Sequence, residues 1–208
     1  MVFVERFPGR VRGRIGDRTL VDRDAGLFVH ETDELPHYAF PVADVHVDGE
    51  PEPHAAGHVT VAWEAMEEWY EEDERVEVHP RDPYHRIDTL ATSRVVRVSL
   101  AGIVLAESRR ARAVFETWLQ IRWYLPRDDV RFELLQESPT VTRCAYKGTA
   151  RHWSAHTSGE VVDDVAWSHE HVRREGEPVQ HLVAFYDELV DVEIDGDPQD
   201  RPATRWSR

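Results

Sequence analysis

The sequence predicts a mainly β protein made of two repeats, the first shortened, that pack as pseudo-symmetric halves. Three observations carry this expectation. The chain matches itself without a gap when shifted by 85 residues, pairing Leu20 with Leu105, Asp22 with Glu107, Val29 with Val114, Glu31-Thr32 with Glu116-Thr117, Pro41 with Pro126 and Asp44-Val45 with Asp129-Val130. Self-similarity at one offset reads as a repeated supersecondary unit. A second match, at an offset of 123, pairs His58 with His181, Val59 with Leu182, Trp63 with Tyr186 and Glu64 with Asp187. The 38 residues by which the offset grows fall in the segment with Cys144, Lys147, Trp153 and Trp167, so the first copy reads as a half without that segment. Finally, most of the chain divides into short alternating apolar runs bounded by Gly, Pro and Asp, the pattern of half-buried strands.

In chain order, residues 1–78 form the shortened repeat, 79–93 a linker and 94–208 the complete repeat. Within the first, residues 64–74 are ambiguous, because Ala62, Met66, Trp69 and Tyr70 have helical spacing. Their repeat partner at 189–194 alternates, so both are expected as strand–turn–strand. Pro80, Pro83 and two Asp break periodicity in the linker. Residues 95–100 and 103–106 flank Ala101-Gly102, a two-residue hairpin turn. The run 121–125 ends at Pro126 and the acidic turn 127–129, followed by alternation over 130–135. Further strands are expected over 140–146, 150–156, 160–167 and 181–186, with Ser158-Gly159 as a turn.

Composition excludes several classes. The 208 residues are 41% hydrophobic with seven Trp, enough for a folded core. The formal net charge is −15, and residues 1–93 hold 21 acids against nine Lys and Arg. Such a field repels phosphate backbones and anionic lipid, so neither nucleic acid nor a membrane is the expected partner. One cysteine permits no internal disulfide and no Cys-rich zinc site, which suits a cytoplasmic location. Residues 1–16 hold no apolar run of signal-peptide length, and no segment approaches a membrane span. No cofactor and no metal are expected, and the oligomeric state is not readable.

Cys144 and Lys147 are each the single residue of its kind, within T-R-C-A-Y-K-G-T-A-R-H-W at 142–153. Arginine is a permanently charged fork, whereas lysine is a compact ammonium, so a position that keeps lysine in an otherwise arginine-only chain points to a site needing a point charge or an amine. An ordinary surface lysine is the plain alternative.

Together, Glu116-Thr117, W-Y-L-P at 123–126, Asp129-Val130, C-A-Y-K-G-T-A-R-H-W at 144–153, A-W-S at 166–168 and V-A-F-Y-D-E-L-V-D-V-E-I-D-G at 183–196 resemble the bacterial family catalogued as domain of unknown function 427. H-P-R-D-P-Y-H-R-I-D at 79–88 resembles its tandem-repeat members. The resemblance implies a β-tent fold and no established reaction. A nucleotidyltransferase-like label attached to the family finds no glycine-rich phosphate loop and no D-x-D motif here. His169 stands where Tyr is usual in the family, and His181 and Asp187 stand where Gly and Asn are common.

The candidate site follows. Glu116, Cys144 and Lys147 would supply an acid or base, a thiol and a cation, and Trp123, Tyr124, Tyr146, Trp153, Ser154, Trp167 and Tyr186 its walls and rim, the usual make-up of a small-ligand pocket. The aromatics could instead be core filling and Cys144 a small buried hydrophobe. Residues three apart on a strand face opposite ways, so Cys144 and Lys147 meet only if the turn at Gly148 swings Lys147 back, and Glu116 is the expected partner of Lys147. His79 and His85, beside Asp82 and Asp88, could hold a metal or simply fix a turn. On a strand, His152, Ser154 and His156 share one face while Trp153 takes the other. The expected function is a module binding an unidentified small polar or anionic molecule through Lys147. The alternatives are a small enzyme using Lys147 or Cys144 with Glu116, and an interaction scaffold.

Overall fold

The computed structural model describes residues 1–24, 26–32, 34–157 and 160–204; the turn expected at Ser158-Gly159 lies outside the described residues. Its strands pair antiparallel throughout, and they divide into two units between Tyr84 and His85.

The first unit holds β1 (Val2–Arg6), β2 (Arg10–Ile15), β3 (Arg18–Asp24), β4 (Leu27–Glu31), β5 (His37–Pro41), β6 (Glu50–Pro51), β7 (His58–Thr60), β8 (Glu68–Glu71) and β9 (Glu74–Val76). They make two sheets, ordered β1-β4-β5-β7-β6 and β3-β2-β8-β9. Val11, Val21, Phe28, Tyr38, Phe40 and Trp69 form their common core, with the Phe40 and Trp69 rings stacked at 6.2 Å. The ambiguous 64–74 segment is a 3-10 turn, Trp63–Ala65, followed by the β8–β9 hairpin.

The second unit holds β10 (Ile87–Ala91), β11 (Val96–Leu100), β12 (Ile103–Ser108), β13 (Arg112–Glu116), β14 (Arg122–Leu125), β15 (Leu135–Cys144), β16 (Gly148–His156), β17 (Val161–Val172), β18 (Val183–Phe185), β19 (Asp191–Ile194) and β20 (Asp197–Pro198). One sheet has seven strands, β10-β13-β14-β18-β17-β16-β15, and the other four, β12-β11-β19-β20. β11 buries Val96, Val98 and Leu100 and turns Arg97 and Ser99 away, the period of two that one dry face imposes. The β11–β12 hairpin turns at Ala101 (φ 48°) and Gly102 (φ 77°), the double left-handed geometry of a type I′ turn.

Two stretches differ from the expectation. Residues 87–91, read as linker, form the outermost strand of the seven-stranded sheet, because Ile87–Ala91 pairs with β13 along its whole length. Residues 130–135, read as a strand, are a single bridge at Val130 and a 3-10 turn, Phe132–Leu134, with β15 starting only at Leu135. Phe132 packs edge-on against Trp153 at 5.8 Å, with the Arg127 guanidinium 4.0 Å from its ring centre, and a straight strand has no such contact to offer.

The seven-stranded sheet has two dry faces, and residue parity decides which side chain goes where. Leu125, Trp153, Ala155, Ala166, Val183 and Phe185 point to the core shared with Val96, Val98, Leu100 and Leu105 of the smaller sheet. Val114, Tyr124, Ala150, Trp167 and Ala184 point the other way and form a separate cluster with Val179. The first face is the main source of stability, since each fully buried large apolar side chain contributes roughly 1.5–3 kcal/mol. The second face carries the polar groups.

Candidate functional site

The register of the sheet lines up the second face. Tyr124 lies opposite Ala184 on β18, Ala184 opposite Trp167 on β17, and Trp167 opposite His152 on β16. One step along, His169 lies opposite Ala150. Glu116 ends β13 on the same side, two residues past Val114. The small side chains Ala184 and Ala150 leave the large ones standing on either side.

Lys147 reaches this face because β15 and β16 join through a tight turn, Ala145 to Lys147. Gly148 follows at φ 99°, and a Cβ there would meet the His171 carbonyl at 2.2 Å, so only glycine closes this turn. Gly176 lets the neighbouring backbone approach as closely, since its Cβ would meet the Lys147 carbonyl at 2.3 Å. The turn swings Lys147 back: its backbone N–H points at Cys144 Sγ, 3.5 Å away, and its ammonium is buried against Glu116 Oε2. The other Glu116 oxygen meets His85 Nε2 at 3.1 Å, and the His85 ring lies flat on Tyr146, 4.1 Å between centres.

Electrostatics fix the protonation states. Burial works against the Lys147 cation, but the Tyr124 oxygen, the Glu116 carboxylate and the Cys144 sulfur together outweigh it, and the amine is held above the usual lysine range. Burial likewise works against the Glu116 carboxylate, but the His85 hydrogen bond and the Lys147 charge overcome it and hold the acid low. The pair is therefore ionised at neutral pH. Burial raises the Tyr124 phenol, which stays protonated. Its oxygen accepts a hydrogen bond from Trp167 Nε1 at 3.1 Å, with the two rings edge to face.

His169 has a different character. It is 3% exposed, its ring lies 6.2 Å from that of Tyr124, and neither ring nitrogen has a partner among the described residues. Burial first, and the Lys147 cation second, push it down to about 4, so it is a neutral imidazole. His152 is buried and also pushed down by burial, with Nε2 at 2.9 Å from Thr142 Oγ1 and Nδ1 without a partner among the described residues. Beyond Trp167, Tyr186 packs at 4.5 Å and Arg122 lies over both rings. Arg122 grips Glu188 through two bonds of 2.7 and 2.8 Å and lies 3.6 Å from Asp187, which burial raises to about 6.

The residues picked from the sequence thus divide. Glu116, Tyr124, Lys147, Trp167 and Tyr186 share the second face or its edge, with Cys144 and Tyr146 in and beside the Lys147 turn. Trp153 points into the opposite core, against Phe132 and Arg127, and Trp123 packs on that same core under Arg94. Ser154 accepts the Asp164 backbone N–H. His85 was considered only as a linker residue; its partner Glu116 lies 31 positions away, and no local pattern marks it. In that linker His79 Nδ1 contacts the Pro80 carbonyl, and Asp82 caps the Tyr84 N–H, an Asx turn. Among the described residues, no group of three or more His, Cys, Asp or Glu side chains is arranged to hold a metal ion, and no helix is long and apolar enough to cross a membrane.

No curated protein matches the chain. A family model matches residues 88–196, which run from the outermost strand of the seven-stranded sheet through β19 and include every residue of the polar cluster except His85. On that match the chain belongs to the family described as Domain of unknown function (DUF427).

Proposed function

We propose that the second unit is a small-molecule-binding module, and that its ligand is a polar molecule received on the face formed by Tyr124, Lys147, Trp167 and His169. The observation that carries this reading is His169. Buried polar groups are almost always hydrogen-bonded, and a buried imidazole with neither nitrogen partnered among the described residues is a functional candidate. Binding fits better than catalysis by Lys147, because an amine nucleophile must shed its proton and Glu116 holds it on. We further read the first unit as a shortened copy without this face, and the protein as cytoplasmic, since one cysteine suits a reducing compartment and a net charge of −15 suits neither nucleic acid nor anionic lipid.

A metabolite-library thermal scan tests the reading. A ligand that binds only the folded state, at about 100 times its Kd, stabilises by roughly 2.7 kcal/mol. That is a rise of roughly 5–10 °C at about 2–4 °C per kcal/mol. His169→Phe keeps a ring of similar size and removes both nitrogens. It should leave the unliganded melting point level or higher and abolish the shift. A library that shifts wild type and His169→Phe alike would place the ligand elsewhere, and one that shifts neither would remove the binding reading.

A further inference from the structure

We infer, resting on that reading, that the ligand is an uncharged molecule carrying a hydrogen-bond acceptor beside a donor, of the amide or urea class, held by Tyr124 and His169. Charge is the first argument. Lys147 is already neutralised by Glu116, and the second Glu116 oxygen is taken by His85. A carboxylate or phosphate entering beside Lys147 would either face the buried Glu116 charge or displace it from its lysine, and both are costly in a buried site. A cation meets the same obstacle from Lys147. The pair organises the site and leaves no net charge for an ionic ligand to match.

The unsatisfied groups are the second argument. The Tyr124 oxygen uses a lone pair to accept from Trp167, so its own proton remains to be donated. A neutral imidazole offers one N–H and one bare nitrogen, and on His169 neither is engaged among the described residues. The face therefore presents donors and an acceptor, all uncharged. The Tyr124 and His169 rings are stacked neighbours, 6.2 Å between centres, so one small ligand can engage both. A carbonyl with an adjacent N–H fits that demand, whereas a sugar presents its hydroxyls splayed around a ring.

Saturation-transfer NMR on the full chain, with benzamide, benzoate and N,N-dimethylbenzamide as probes, separates the possibilities. Benzamide should bind, benzoate should not, and loss of the N–H donors in the dimethyl compound should weaken binding roughly 2- to 10-fold, the range of one neutral hydrogen bond. Tyr124→Phe should weaken benzamide by a similar factor, and His169→Phe should abolish it. Benzoate binding that is lost in His169→Phe would overturn the uncharged-ligand inference while keeping the binding reading. Silence from all three probes together with an empty library scan removes the binding reading itself. If benzamide binds equally to wild type and both variants, this assignment of Tyr124 and His169 is wrong.

Discussion

The two units put the same backbone bonds at positions 85 residues apart. His46 N–H bonds to Leu20 O at 2.9 Å, and Arg131 N–H to Leu105 O at 2.8 Å. Val21 bridges Val45, and Ala106 bridges Val130. Pro41 and Pro126, both at φ −54°, open the 3-10 turns Val42–Asp44 and Arg127–Asp129. Among the described residues the polar face has no such counterpart. Ala39 holds the place of Tyr124, Glu31 and Glu116 end β4 and β13 equally half-buried but Glu116 alone meets the Lys147 ammonium, and the two-residue β6 stands beside β7 where β17, β16 and β15 extend the larger sheet. The lesson is that a strand frame sets positions but not chemistry. The chemistry comes with the β15–β17 ribbon, which brings the Lys147 turn, His152, Trp167 and His169.

The sharpest way to break this comparison is at the ion pair. Lys147→Met leaves the Glu116 carboxylate buried with no cation and should cost about 3–5 kcal/mol. Glu31→Gln, at the matching position of the first unit, should stay within about 0.5 kcal/mol. Calorimetry on both variants reads the difference, and adding Glu116→Gln to Lys147→Met should recover much of the loss. Equal small effects at both positions would mean that Glu116 is no more constrained than Glu31.

The acid response is next in size. His169 is about 4 in the fold against 6.5 free, so the unfolded chain binds more protons between those values, and stability is lost as pH falls across that window. Asp187 is about 6 in the fold against 3.8 free, so its contribution is present in acid and is lost as pH rises through about 6. At about 1.4 kcal/mol per unit, each amounts to roughly 3 kcal/mol, with opposite signs over much the same range. Relative to wild type, His169→Phe should therefore gain stability as pH falls from about 6 to 4, while Asp187→Asn should lose it. Urea midpoints at pH 4, 5, 6 and 7 give the two slopes, and parallel profiles for all three proteins would mean that neither group is buried as described.

How much of this was legible depends on how local the cause was. Ala101-Gly102 was readable because two left-handed residues are demanded by the turn itself. Lys147 with Glu116 was readable from the singleton lysine and the turn at Gly148. The expected wall residues divide between two faces for a reason already in the sequence: Trp123 and Tyr124 are neighbours on one strand and cannot share a face, and His152 and Trp153 obey the same rule. Phe132 was misread because its 3-10 turn answers to Trp153 and Arg127, which pattern alone does not bring near. His169 drew notice as a departure from the family pattern; its lack of partners among the described residues is a three-dimensional fact.

The smallest predicted effect sharpens the frame itself, at Asp44 and its match Asp129. The residue 85 positions apart that answers each is different: Arg23 pairs with Asp44 at 3.3 Å across a partly exposed gap, whereas Ser108, 3% exposed, donates its hydroxyl to Asp129 at 2.6 Å, and Arg110 adds a second bond. An exposed ion pair contributes about 0–1 kcal/mol, because water serves both charges nearly as well. A buried hydroxyl proton has no such substitute, and leaving it without an acceptor costs about 1–3 kcal/mol. Asp44→Ala should therefore be close to silent, and Asp129→Ala should lower the melting point by several degrees. Ser108→Ala in the Asp129→Ala background removes the orphaned group and should return part of the loss. If the two aspartates cost the same, the bond that ties the 3-10 turn to its strand does not depend on which partner is buried.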